Sequence, residues 1–175
     1  MEAIRPGDGL ADGTTMGPLV SRAQFDIVAG YVRQGIEGGC DLVCGGKPLT
    51  NNPGRDGYFF APTLFDRVGP ASPLAIEEIF GPVLPVIRVR DVEEALRIAN
   101  STRYGLAASI FTSRAEVARR FAAGLESGMI HLNHGTASQA HVPFGGRKDS
   151  GAGAFSIGPT ARDFHTSVKV IYSKW

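Results

Sequence analysis

This chain is short of several things whose absence narrows the possibilities. It has only two cysteines in 175 residues, Cys40 and Cys44. Two thiols cannot build a disulfide framework, so a reducing cytoplasm is the expected setting. No apolar run reaches the length of a membrane span, and the first residues, Met1-Glu2-Ala3-Ile4-Arg5-Pro6-Gly7, contain no signal-peptide core. Neither sign of charge is in excess: 18 Lys+Arg face 17 Asp+Glu, a formal +1. A nucleic-acid or membrane-surface partner would call for a basic surplus, so neither is expected. Internal repeats and low-complexity tracts are also missing, and 43% hydrophobic residues against 20% charged describe one globular core rather than disorder. What the chain has in quantity is Gly (23) and Pro (11). That much punctuation means many loops, and loops carry sites.

Periodicity places the elements. Residues 5–20 carry four glycines and no sustained period, an irregular entry. Ser21 with Gln24 reads as a capping box, and Phe25, Val28, Val32 and Ile36 then follow at helical spacing up to Gly38-Gly39. Residues 42–44 are a strand candidate closed by Gly45-Gly46, 50–57 a loop, and 58–65 an extended run that Pro62 assigns to an edge or a bulge. A strand over 83–89, interrupted by Pro85, leads to a capping box at Asp91 and Glu94 and a helix through Ala99. Strand 106–111, a third capping box at Ser113 and Glu116, a helix through Leu125 and strand 129–132 complete an alternation that predicts parallel pairing in an α/β layer sheet. A short helix is expected near 159–164 and a strand over 168–172. The glycine-rich run 133–158 lies past the end of a strand, where open α/β sheets bind ligands.

Several site-like patterns fail on their own chemistry. Gly146 and Gly151 have phosphate-loop spacing, but Ala152 stands where the lysine must be. Gly151 and Gly153 open a dinucleotide fingerprint that finds no glycine at 156. His131, His134 and His141 match no metal-ligand spacing, so no metal is expected. Cys40 and Cys44 have no evident base beside them and read as packing thiols.

Two segments say more: Glu77-Glu78-Ile79-Phe80-Gly81-Pro82-Val83, and Val142-Pro143-Phe144-Gly145-Gly146-Arg147-Lys148-Asp149-Ser150-Gly151. Alone, each is compatible with an acidic surface turn or an ordinary loop. They occur in order with Gly17-Pro18-Leu19-Val20-Ser21, Gly45-Gly46-Lys47, Tyr58-Phe59-Phe60-Ala61-Pro62-Thr63, Tyr104-Gly105-Leu106-Ala107, Gly128-Met129-Ile130-His131-Leu132-Asn133 and Thr166 to Lys169. Along nearly the whole chain this set resembles the aldehyde dehydrogenase superfamily.

The resemblance implies an α/β fold of mostly parallel strands flanked by helices, like an aldehyde dehydrogenase catalytic domain truncated at its N-terminus. It implies that residues 1–165 are the C-terminal majority of that domain and 166–175 its terminal oligomerisation strand, hence a homo-oligomer. Enzymes of this family bind NAD or NADP on a separate Rossmann-type domain, attack the aldehyde with a cysteine thiolate, and hydrolyse the thioester with water activated by a glutamate. By position Glu78 resembles the carboxylate that bonds the nicotinamide-side ribose, and Phe80 the ring packed beside it. Phe144 resembles the pocket-wall aromatic, and residues 134–141, with His134 and Ser138, the loop lining the aldehyde entrance. That loop is small and polar, which suits a short or polar aldehyde. The chain departs from the pattern in starting downstream of the cysteine, the glutamate and the cofactor domain, and in carrying Phe155 where many relatives have a proton-relaying glutamate. The expectation is a family fragment, inactive and cofactor-free alone, with no catalytic residue of its own. The competing expectations are a non-catalytic oligomerisation or regulatory module, and the C-terminal half of a split enzyme.

Overall fold

The computed structural model describes residue 1, residues 3–49 and residues 57–175. Apart from Gly57, the loop expected over 50–57 lies outside the described residues. The chain divides into two compact units, Met1–Arg88 and Val89–Trp175.

In the first unit, helix α1 (Arg22–Glu37) starts at Ser21, whose hydroxyl accepts the Gln24 amide N–H. Its Val28 and Val32 are buried with Phe60, Phe65, Val68, Leu74 and Ile79 in one apolar cluster. Strands β1 (Asp41–Cys44) and β2 (Thr63–Asp66) pair antiparallel, with a register shift between Leu42 and Cys44. A short helix, α2 (Pro73–Ile76), leads into β3 (Val83–Pro85), which lies parallel to β2. Two expectations change here. β2 is the central strand of the three, and Pro62 precedes it instead of marking an edge. Strand β3 ends at Pro85 rather than Val89, and it pairs with β2. The Gly81-Pro82 turn delivers it there, since the Pro82 carbonyl accepts the Thr63 N–H at 2.8 Å.

In the second unit, α3 (Val92–Asn100) is capped by Asp91, which accepts the Glu94 N–H at 2.8 Å. Strand β4 (Ala107–Ile110), helix α4 (Ala115–Gly124) and strand β5 (Met129–Leu132) follow, and β4 and β5 pair in parallel as the alternation predicted. The third capping box is not made. Helix α4 begins one residue late, with Arg114 at its N-cap and no side-chain cap; the Glu116 carboxylate accepts from the Arg114 guanidinium at 2.6 Å instead of closing the box. A 3₁₀ turn (Gly158–Thr160) runs into α5 (Ala161–His165). Residues 166–175 make no strand within this chain, although 168–172 read as strand-forming. The architecture is α/β, with parallel strands and flanking helices.

Candidate functional site

In the first unit the segment 77–82 forms a turn with opposed side chains. Ile79 is buried in the core, while Phe80 is 75% exposed. The backbone of Phe80 is left-handed (φ 54°), a conformation that non-glycine residues adopt at a cost. Gln24 sustains it: its side-chain amide donates to the carbonyls of Ile79 (2.8 Å) and Phe80 (3.2 Å). The same Gln24 fills the third helical position of a capping box, but its side chain leaves the box to hold this turn. Gly81 permits the approach to α1, since a Cβ there would stand 2.4 Å from Val28 Cγ2. Glu78 is exposed beside Phe80, and the two line one open hollow of about 430 Å³ floored by Leu74, Ala75 and Pro85.

In the second unit, Asn133 ends β5 and redirects the chain. Its side chain accepts from the Thr112 N–H (2.7 Å) and donates to the Thr112 carbonyl (3.0 Å), and its own backbone is left-handed (φ 54°). The exposed loop 134–142 follows and returns through Phe144. Ser156 ties Phe144 down, its backbone N–H donating to the Phe144 carbonyl at 3.0 Å. The succeeding glycine turn is fixed by Ser150, whose hydroxyl accepts the Gly105 N–H (3.0 Å), and by Lys148. The Lys148 ammonium donates to the carbonyls of Asn100 (2.7 Å) and Thr102 (3.0 Å) and pairs with Glu126 at 2.7 Å. Gly128 allows this turn to lie against β5, because a Cβ there would come within 2.0 Å of the Gly145 carbonyl.

A half-open cavity of about 470 Å³ lies against β5, lined by residues 128–131 and by residues of the 134–144 loop. His134, Ser138 and Phe144, the three residues assigned to a substrate pocket, all line it. His131 lines it too, a role its strand position did not signal; its ring stacks on that of His134 with centroids 5.9 Å apart and planes at 22°. His141 is not among the lining residues. Among the described residues no three His, Cys, Asp or Glu side chains converge to hold a metal ion. Phe155 packs as an aromatic: its ring atoms lie 2.3 Å from where a Cβ on Gly145 would be. Cys40 and Cys44 are free thiols, the latter's Sγ 3.9 Å from the Pro62 carbonyl.

Two parallel strands with flanking helices, and a cavity against one of them walled by Phe144, give this unit an α/β architecture. The sequence profile of the aldehyde dehydrogenase family matches residues 1–171, and the chain belongs to that family. It is 38% identical over 172 residues to the alpha-ketoglutaric semialdehyde dehydrogenase of Bacillus subtilis, covering 98% of this chain and 35% of that protein. An aldehyde dehydrogenase of Aspergillus niger is 40% identical over 166 residues, covering 95% of this chain and 32% of that one. Among solved structures, the Mycobacterium tuberculosis aldehyde dehydrogenase complexed with NAD+ superposes with a TM-score of 0.85 at 37% identity, over 91% of this chain and 32% of that one. The chain thus spans about a third of the length of the relatives it matches. No described helix is long and apolar enough to cross a membrane.

Proposed function

We propose that this chain contributes the C-terminal part of the catalytic domain of an NAD(P)-dependent aldehyde dehydrogenase, one that oxidises a short or polar aldehyde to the carboxylate in the cytoplasm. The observation that carries this reading is the cavity against β5 that His134, Ser138 and Phe144 share. NAD or NADP supplies the two-electron oxidant when bound. The residues of the 77–82 turn suit it: Glu78 offers an exposed acceptor for vicinal ribose hydroxyls, and Gln24 holds the Phe80 ring outward as a packing surface. In the second unit, Phe144 walls the aldehyde and Ser138 and His134 present polar groups to it.

On this reading the thiolate nucleophile and the water-activating carboxylate come from residues outside these 175. Cys40 packs against the core, and Cys44 faces a carbonyl rather than a base. The chain alone therefore binds no nicotinamide cofactor tightly and does not turn over, since binding groups cannot replace a nucleophile. Purified chain incubated with NAD+ or NADP+ and a panel of aldehydes is expected to form no NAD(P)H. Steady formation that disappears in Cys40→Ala or Cys44→Ala would overturn this. Residues 166–175 act as an oligomerisation strand distinct from the catalytic domain at 1–165. Val168, Val170, Ile171 and Tyr172 are exposed there, apolar surface that a second chain would cover. Light scattering is expected to give a mass above that of one chain, and a monodisperse monomer would refute the assignment.

A further inference from the structure

We infer that Asn133 is a positioning residue for aldehyde binding: its side-chain amide replaces the last rungs of the β4–β5 ladder and thereby fixes where the loop 134–142 leaves the sheet. The inference rests on the aldehyde reading above and adds to it a residue that acts on the cavity through the loop lining it. The two strands run in register from Ala107 opposite Met129 to Ile110 opposite Leu132. Along them the Met129 N–H donates to the Leu106 carbonyl (3.0 Å) and, four residues on, the Asn133 N–H to the Ile110 carbonyl (2.7 Å). Continued at the same spacing, a parallel ladder would next join the Thr112 N–H to the Asn133 carbonyl, and the Thr112 carbonyl to the Gly135 N–H. Between these described residues neither main-chain bond is made. The Asn133 side chain takes both places, accepting from the Thr112 N–H at 2.7 Å and donating to the Thr112 carbonyl at 3.0 Å.

A carboxamide carries the peptide's own pairing, an acceptor and a donor side by side. With the rungs supplied from the side chain, the main chain at Asn133 is free to turn left-handed (φ 54°), a conformation asparagine tolerates better than most residues. That turn brings the His134 ring onto the His131 ring, with centroids 5.9 Å apart, and carries Ser138, Gln139 and Val142 to the cavity wall. Asn133 itself is not among the lining residues. The loop's own bonds are local: the Val142 N–H donates to the Gln139 carbonyl (3.0 Å), and His134 Nδ1 to the Gly135 carbonyl. They shape the loop without fastening it to the sheet. Its far end is held where the Phe144 carbonyl accepts the Ser156 N–H, and Asn133 fastens its near end. Thr112 is itself anchored, since its hydroxyl accepts the Arg114 N–H at the start of α4 (3.1 Å). Every group in this tie belongs to the second unit and finds its partner there.

Two measurements test the assignment. In the ¹⁵N-labelled 175-residue chain, Asn133→Gly keeps the left-handed backbone accessible and removes both side-chain bonds. Exchange of the Thr112 amide is expected to accelerate about tenfold, and the amide resonances of 134–139 to shift while those of α3 stay in place. Asn133→Asp keeps the acceptor and loses the donor, and should fall between the two. In the enzyme containing this chain, assayed over an aldehyde panel, Asn133→Gly is expected to raise KM about tenfold with kcat within about twofold, and Asn133→Asp to raise KM less. A KM that rises at constant kcat marks the loss of binding common to ground and transition states. An unchanged KM with a lowered melting temperature would make Asn133 a structural residue only and overturn the inference, as would unshifted resonances over 134–139. If Asn133→Gly does not fold, Asn133→Asp decides. Where aldehydes are oxidised and KM does not move, the positioning role fails and the dehydrogenase reading survives. Where the unsubstituted enzyme oxidises no aldehyde, the dehydrogenase reading fails, and the spectra still decide whether Asn133 places the loop.

Discussion

Met1–Arg88 and Val89–Trp175 are nearly equal in length, and each packs helices near a small sheet, yet they hold their shapes by different means. The first has a continuous apolar core in which Phe65 and Val28 are wholly shielded. In the second, the buried hydrophobic residues are Leu96 and Leu125, at 6% and 5% exposure. Its elements are joined by polar ties instead. Asn100, closing α3, donates to the Gly124 carbonyl (2.7 Å) and accepts from the Glu126 N–H (2.9 Å). Arg120 of α4 makes a two-pronged pair with Glu93 of α3, and Lys148 fixes the glycine turn. The difference matches what each unit presents. A well-filled core can carry a strained turn that pushes Phe80 outward. A unit fastened at its loop ends can leave a cavity between them.

Breaking the first unit should take one side chain. Phe65→Ala empties the centre of its cluster and is expected to cost about 3–5 kcal/mol, with amide exchange at Val28 and Val32 accelerating most. Unchanged exchange there would show that the core is not the fastening. The polar counterpart is Asn100→Ala. It leaves the Gly124 carbonyl and the Glu126 N–H without their partner, a loss of about 1–3 kcal/mol. Its exchange signature should fall on α3 and β5 rather than α1. Lys148→Met is expected to cost less, about 1 kcal/mol, since the ammonium is partly solvated, and to loosen 145–151 locally.

The same contrast explains what the sequence made legible. Helix α1 and its buried face could be read because Phe25, Val28, Val32 and Ile36 repeat at helical spacing against a real core. Strands β4 and β5 could be read because their apolar runs alternate with helices, and the loop with Phe144, His134 and Ser138 because it follows a strand end. The polar fastenings could not. Gln24 fits a capping box equally well whether its amide closes the box or reaches 55 residues along the chain to Ile79. Ser113 has the right spacing to Glu116, but the Glu116 carboxylate is taken by the Arg114 guanidinium. His131 looked like an ordinary strand residue because its place in the cavity depends on the β5 register and on a ring stacked from another segment. Apolar periodicity is a local signal, whereas hydrogen-bond choice among long-range partners is decided by the fold.

The smallest expected effect concerns protons, and it too should divide the units. Glu94 accepts from the Arg90 guanidinium and from the Arg90 N–H, and these bonds lower its pKa to about 2. Glu93, bonded by Arg120, and Glu116, held by backbone and Arg114, are lowered as well. In the first unit the corresponding group is Asp66, lowered chiefly by Arg88. A carboxyl whose folded pKa lies below its unfolded value stabilises above the unfolded value and loses that contribution as pH falls through the folded one. For Glu94 the window runs from about 4.5 down to about 2. With three such carboxylates against one, exchange in α3 and α4 should accelerate on acidification before exchange in α1. Because the arginines of these pairs are largely exposed, the effect is modest and fades with added salt. Glu94→Gln is expected to flatten the acid limb of the melting temperature measured from pH 5 to pH 2. A limb of unchanged slope would mean that the Arg90–Glu94 pair fastens nothing.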